Sequence, residues 1–245
     1  MQLLFAKISG IFIRLGDLIR LLPIRALRVF AHGVDGIEKM GEVDFKRMSL
    51  SQVAVSIGFW WLELFVLLLD LLGIGELYET LADFIKFNTR PLKSWETKVA
   101  KEVFGNAINF KRVRVDEWAF VGPPQMKVCY VSCYIINSWG KMNNATLIHE
   151  LVHVWQYQHI GLIYIPRALR AQHTKVGYDY GGLSQLKRYI RQEKTIFAFN
   201  LEQQAEIVSD YYNLKNGYPT QWSRANFSDL PVYEHFVDQL RETQA

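Results

Sequence analysis

The chain of 245 residues has two cysteines, a formal net charge of only +4, no internal repeat and no low-complexity tract. Each shortage excludes something. Cys129 and Cys133 fall in the apolar run from Val128 to Ile136, which reads as a strand. Four apart on a strand they share a face but sit too far apart to bridge, so both are expected as buried free thiols. The lack of a disulfide framework favours a reducing compartment. A net charge of +4 is too small to argue for nucleic acid, which is not expected as a partner. Arg14, Asp17 and Arg20 interrupt the first apolar stretch and no small-residue cleavage site follows, so a secretory signal is not expected.

What is present is hydrophobic and ordered. Hydrophobic residues make up 50% of the chain, enough for a catalytic domain plus a smaller helical region. Residues 1–90 read as a hydrophobic, basic helical region. Lys7, Arg14, Arg20, Arg25 and Arg28 stand against Asp17 alone in its first 32 residues. Basic and apolar together suit a membrane surface or an acidic partner, and equally a helix with one solvated basic face. Residues 2–31 are expected as helix, broken near Gly10, Gly16 and Pro23. Residues 50–74 form a second helix, with Ser51 as candidate cap and Gly73 as stop. Its length suits a membrane span, but Glu63 lies near its middle and Asp70 near its end. A central acid costs roughly 2.5–3.5 kcal/mol on insertion scales. A helix buried against the first, or lying in an interface, fits as well. The expected location is cytoplasmic, with residues 1–74 able to meet a membrane surface.

The character changes at about residue 91. Helices are expected at 76–88 and at 95–104, the latter capped by Gly105. Residues 110–120 and 127–137 read as strands joined by a Gly-Pro turn at 121–125, an antiparallel hairpin. A helix at about 145–159 follows Asn143 and Asn144. Loops or short helices lead to a helix at 201–216, and a last one lies near 232–241.

The helix at 145–159 carries the chemistry. With His149 at zero on a helical wheel, His153 falls near 40° and Glu150 near 100°. Leu147, Ile148, Leu151, Val152, Val154 and Trp155 fill the opposite side. Two imidazoles at i and i+4 sit one turn apart and can bind one zinc ion, and the glutamate beside the first is placed to take a proton from the metal's water. A catalytic zinc wants a third protein ligand and an open position. Glu202, Glu206 and Asp210 stack at i, i+4 and i+8 on the next long helix, where they repel one another unless solvated or given a cation. Asn200 can cap that helix with Gln203. Spacing does not choose between Glu202 and Glu206 as the ligand. Tyr178 and Tyr180 lie on a glycine-followed loop between the two helices. In the family that these residues resemble, a Tyr or His often stabilises an oxyanion, which makes Tyr178 and Tyr180 candidates and His235 a weaker one.

With these residues the chain resembles the gluzincins, zinc metallopeptidases with HExxH and a downstream glutamate ligand. More narrowly it looks like the HExxH peptidase domains associated with bacterial contractile injection systems and Vgr-related proteins. The resembling stretch, about Ser94 to Tyr212, includes Val103-Phe-Gly-Asn-Ala-Ile-Asn109, Arg112-Val-Arg114 and His149-Glu-Leu-Val-His-Val-Trp-Gln156. It continues with Tyr178-Asp-Tyr-Gly-Gly182 and Glu202-Gln-Gln-Ala-Glu-Ile-Val-Ser-Asp-Tyr211. The family's frame of a glutamate, two variable residues, a small residue and an acid matches Glu202 to Glu206. It implies Glu202 as ligand, with Glu206 or Asp210 as supporting carboxylate or alternative ligand. A rival frame matches Glu206 to Asp210. The resemblance implies an α+β, mainly helical, zincin-like domain over 91–245 with a small antiparallel sheet. It also implies a zinc-dependent peptidase in which Glu150 is the base, acting on a peptide or protein. The alternative is a catalytically silent zinc-binding, membrane-associated interaction module built on residues 1–90.

Overall fold

The computed structural model describes residues 2–42, 49–86, 88–119 and 129–243. The chain is α+β and mainly helical, with one small sheet. It divides into two compact units, Met1–Phe87 with Ile160–Pro166, and Asn88–His159 with Arg167–Ala245.

The first unit is built on three helices. α1, Gln2–Glu42, runs unbroken through Gly10, Gly16 and Pro23, where the sequence leads one to expect breaks. Pro23 removes one ladder hydrogen bond, but long-range packing along the helix holds its direction. The guanidinium of Arg14 lies beside Gly10, and Trp60 of the second helix occupies the space that a side chain at Gly36 would fill. α2, Leu50–Leu71, starts at a capping box of Ser49 and Gln52, two residues before the expected cap. Gly73, with φ of 74°, turns the chain into α3, Ile74–Ile85. Among the described residues α2 is the one helix long and apolar enough to cross a membrane, by length and composition.

What these helices bury is charge. Arg14 meets Asp83 at 2.8 Å. Arg25 meets Glu76 at 2.5 Å and Asp70 at 3.6 Å, and Arg28 meets the other Asp70 oxygen at 3.3 Å. His32 stacks on Trp60, donates to its carbonyl and faces Glu63 at 3.8 Å. Gly161, with φ of 72°, brings a short 3-10 turn, Gly161–Ile163, against the Asp70 carboxylate and Arg28.

In the second unit the sheet has the order β1-β2-β4-β3. β1 is Arg90–Pro91, β2 Arg114–Asp116, β3 Tyr130–Ser132 and β4 Ile135–Asn137. β1 pairs antiparallel with β2, β2 parallel with β4, and β3 antiparallel with β4. The sheet is therefore mixed, which corrects the expected antiparallel one. The reason lies at Cys133, whose φ of 59° reverses the chain inside the apolar run that reads as one strand. That run becomes two strands joined by Cys133 and Tyr134, and β2 takes the free edge of β4 in parallel. The expected turn at 121–125 lies outside the described residues. Neither cysteine is in a disulfide, but Cys133 sits in the turn and only it is buried.

Besides the sheet there are α4, Ser94–Phe104, and five further helices. They are α5, Asn144–Ile160; α6, Tyr164–Gln172, which starts in the first unit; α7, Gly182–Arg191; α8, Leu201–Lys215; and α9, Leu230–Glu242. Gly105 ends α4. α5 is buried nearly all round, because Leu147, Ile148, Leu151, Val152 and Val154 fill its core side while Glu150, His153 and Gln156 are also covered. α8 covers that second side. Ser209 Oγ donates to the Ala145 carbonyl at 3.1 Å near one end, and Gln156 Nε2 donates to the Leu201 carbonyl at 2.9 Å near the other, so the two helices run antiparallel.

The start of α8 is set by a capping box: Asn200 Oδ1 accepts from the Gln203 amide at 2.9 Å, and Gln203 Oε1 accepts from the Asn200 amide at 3.1 Å. Asn200→Ala is expected to destabilise the fold by about 1 kcal/mol, read as a lower urea midpoint, with Asn200→Ser closer to wild type. An unchanged midpoint for Asn200→Ala would show that the cap contributes nothing.

Candidate metal centre

The antiparallel pairing of α5 and α8 puts Glu202 opposite both histidines. One carboxylate oxygen of Glu202, Oε2, lies 3.4 Å from His149 Nε2 and 3.4 Å from His153 Nε2. The two rings stand edge to face with centroids 5.0 Å apart. The three ligand atoms lie within 4.8 Å of one another, so the group His149, His153 and Glu202 could hold a metal ion.

The hydrogen bonds around these side chains decide which atoms are free to do so. Gln156 Nε2 donates to the Leu201 carbonyl and to Gln204 Oε1 at 3.0 Å, which turns Gln156 Oε1 toward His153 Nδ1 at 2.8 Å. Nδ1 of His153 must therefore be the donor, leaving Nε2 to face Glu202. His149 follows the same rule. Its Nδ1 lies 3.2 Å from Glu206 Oε1, and Glu206 is held from its other oxygen by Trp222 Nε1 at 2.8 Å. Gln172 Nε2 donates to Glu202 Oε1 at 2.8 Å and leaves Oε2 for the centre. Glu202 Oε2 and Glu150 Oε2 are buried and have no hydrogen-bond partner among the described residues. A buried carboxylate oxygen without a donor is an acceptor awaiting a cation or a proton. The donor set fits a metal: two imidazole nitrogens, one carboxylate oxygen, and a hydrogen-bonded partner behind each histidine, as metal-bound histidines usually have.

The charges respond as a crowded centre should. Burial alone lowers the His149 proton affinity, but the carboxylates of Glu202 and Glu206 beside it outweigh burial and push the pKa up to about 10. His153 moves up as well, with burial opposed by Glu202. Burial raises Glu202, yet the two histidines reverse this and hold it well below the usual carboxylate range. Burial is the largest influence on Glu150 and raises it. The centre thus holds Glu202 ionised and raises the proton affinity of Glu150.

The other expected residues divide. Tyr178 is half-buried, with its ring centroid 6.1 Å from that of His149. Burial and the charge of Glu202 keep its phenol protonated. Tyr180 does not join the centre. It is fully buried, and its hydroxyl donates to Asp210 Oδ2 at 2.6 Å and lies 3.0 Å from the hydroxyl of Tyr233. Asp210 is likewise turned away, accepting from the Gln221 amide at 2.6 Å and the Trp222 amide at 3.2 Å. Asp210 therefore fastens the segment after α8, which in turn carries Trp222 to Glu206. Glu206 supports His149. His235 is exposed and bonds to Gln239.

Three participants escaped the sequence reading. Gln156 follows His153 by three residues on one helix face, so spacing could have found it. Gln172 and Trp222 carry no such signal, because only the tertiary fold brings them near. Cys129, just before β3, lies close enough to Glu150 for that charge to add to burial in pushing its thiol up to about 12.

The fold and centre define a mainly helical α+β protein with a small mixed sheet and a His-His-Glu group that could hold a metal ion. Among known proteins the chain is similar to the type VI secretion system spike protein VgrG2b of Pseudomonas aeruginosa, with 27% identity over 156 residues. The match covers 58% of this chain and 14% of that protein's length. It relates the sequence to Vgr-related proteins. No family model matches the chain, and no solved structure matches it.

Two outcomes are expected of the centre. A metal has to displace the proton that His149 holds up to about 10. Apparent metal affinity should therefore climb from about pH 6 to about pH 9, by up to about tenfold per unit for each proton displaced. Chelator competition at a series of pH values measures this, and a flat profile would mean that the metal bypasses His149. Removing the acceptor behind His153, in Gln156→Ala, is expected to weaken metal affinity about 10- to 100-fold, read in the same competition.

Proposed function

We propose that the centre binds zinc and that the protein is a zinc-dependent peptidase of zincin-like build, acting on a peptide or protein. The observation that carries this reading is the convergence of two Nε2 atoms on the unpartnered Oε2 of Glu202, with the unpartnered carboxylate of Glu150 alongside. Two imidazoles and one carboxylate are a common catalytic set for zinc, with a fourth position left open.

Bound zinc supplies Lewis acidity, polarising a carbonyl and lowering the pKa of water to about 7. The chain's own groups do the rest. Glu202 and the two histidines are anchored by Gln172, Glu206 and Gln156, so the ligand atoms are set before any ion arrives. Glu150 takes the proton from the attacking water. Its burial raises its affinity for that proton, which suits a base at neutral pH and lets it pass the proton on to the departing amine. Tyr178 keeps its phenolic hydrogen and can donate it to the oxygen on which negative charge develops. Tyr180 has no part in this, because its hydroxyl is committed to Asp210 and Tyr233.

β3 is an edge strand of the sheet, and Cys129 immediately before it feels the charge of Glu150. An extended substrate added along β3 would bring its backbone toward the base, with main-chain hydrogen bonds supplying alignment.

The test has two parts. Purified protein is expected to hold about one zinc per chain by mass spectrometry, lost in His153→Ala and Glu202→Ala and largely kept in Glu206→Ala. Glu150→Gln should keep the zinc and lose at least about 100-fold in cleavage of a peptide library. Equal cleavage by wild type and Glu150→Gln would overturn the mechanism.

A further inference from the structure

The first unit has the polarity of its residues reversed. From residue 49 to residue 86, Glu63, Asp70, Glu76, Glu79, Asp83 and Lys86 are the charged residues, and every one is buried. α1 repeats the pattern, with Arg14, Asp17, Arg25 and His32 buried on one stripe. The outer faces are apolar instead. Ile19 is 79% exposed, Phe30 70% and Ile37 71% on α1, Trp61 59% and Phe65 57% on α2, and Leu77 and Ile85 are exposed on α3. In water the same helices would gain by rolling these stripes inward and releasing the charges.

We propose that the first unit is inserted in a lipid bilayer, with α2 crossing the hydrocarbon and the 41-residue α1, which rises about 60 Å, running beside α2 and on past that layer. Three observations select lipid over a protein partner. The apolar side chains lie on the outer faces of all three helices, so a partner seated on one face would leave the others wet, whereas a bilayer surrounds the unit laterally. The 22 residues of α2 rise about 33 Å, against a hydrocarbon core of about 30 Å. The interior charges meet opposite charges, Arg14 with Asp83, Arg25 with Asp70 and Glu76, and His32 with Glu63. That is the arrangement ionisable groups adopt when their surroundings are apolar. Lys7 donates to the carbonyl of Asp83 and adds to it. Arg20 is exposed, but pairs with Asp17 at 3.1 Å and has the reach to extend toward a headgroup layer. This inference is independent of the metal centre and of the peptidase reading.

Flotation of the full chain with phosphatidylcholine and phosphatidylglycerol vesicles tests it. The protein is expected to float and to stay with the vesicles through washes in high salt and in alkaline carbonate. The variant carrying Ile19→Ser, Phe30→Ser, Trp61→Ser and Phe65→Ser is expected to lose at least about tenfold in bound fraction while keeping its helical circular dichroism. Tryptophan quenching by bromine-labelled acyl chains gives a second readout on the native chain, with the quenched component absent from Trp61→Phe. A protein that stays monomeric and monodisperse without lipid or detergent overturns the proposal. So does release by salt alone, which would mean attachment by surface charge. So does a defined oligomer in detergent-free buffer, which would mean that another copy covers these faces.

Discussion

A carboxylate oxygen taken out of water and given no donor costs about 1–3 kcal/mol, and more when it is charged. Glu202 Oε2 is in that state where α5 and α8 meet. Much of the second unit can be read as the means of keeping it there. The capping box at Asn200 fixes where α8 begins, and so the rotation that turns Glu202 inward. Gln156 binds the first turn of α8 with its amide hydrogens and the ring of His153 with its oxygen. Asp210 holds the strip that delivers Trp222 to Glu206, and Glu206 fixes His149. None of these contacts touches the space between the ligand atoms. Each limits the freedom of an atom that does.

The sequence carried the two histidines and Glu150 without ambiguity, because a spacing of four on one helix leaves little choice of geometry. It could not separate Glu202 from Glu206. Both lie on one stripe of α8, and which one meets both Nε2 atoms depends on how that helix rests on the core through Ala205, Val208 and Tyr212. Tyr178 and Tyr180 looked equivalent on their loop. The glycines at 181 and 182, both with positive φ, turn the chain there, and Tyr180 is drawn into the core toward Asp210. The apolar run at 128–136 reads as one strand because nothing in its composition marks Cys133 as a turn; a positive φ at a non-glycine residue is a tertiary demand. Pro23 misled in the other direction, since propensity rules describe an isolated helix and α1 is held along its length.

The two units treat buried charge in opposite ways. In the first, guanidinium and carboxylate groups cancel one another at contact distance, an arrangement that uses charge as filling. At the candidate metal centre acids gather round two histidines instead, with Glu150, Glu202 and Glu206 close enough for their charges to interact. Like charges at close quarters are unfavourable for a fold and favourable for holding a cation or a proton.

Gly161 and its neighbours give the chain an order of assembly. The first unit is not continuous: residues 1–87 are completed by residues 160–166, whose turn rests on Asp70 and Arg28. During synthesis from the N-terminus, the early helices emerge and wait while the sheet and almost all of α5 are made. Their last piece arrives only after the His149 to His153 stretch has left the ribosome. The usual sequence, in which an N-terminal unit finishes before the next begins, is closed to this protein, and the maturation of the two units is interlocked by chain connectivity alone.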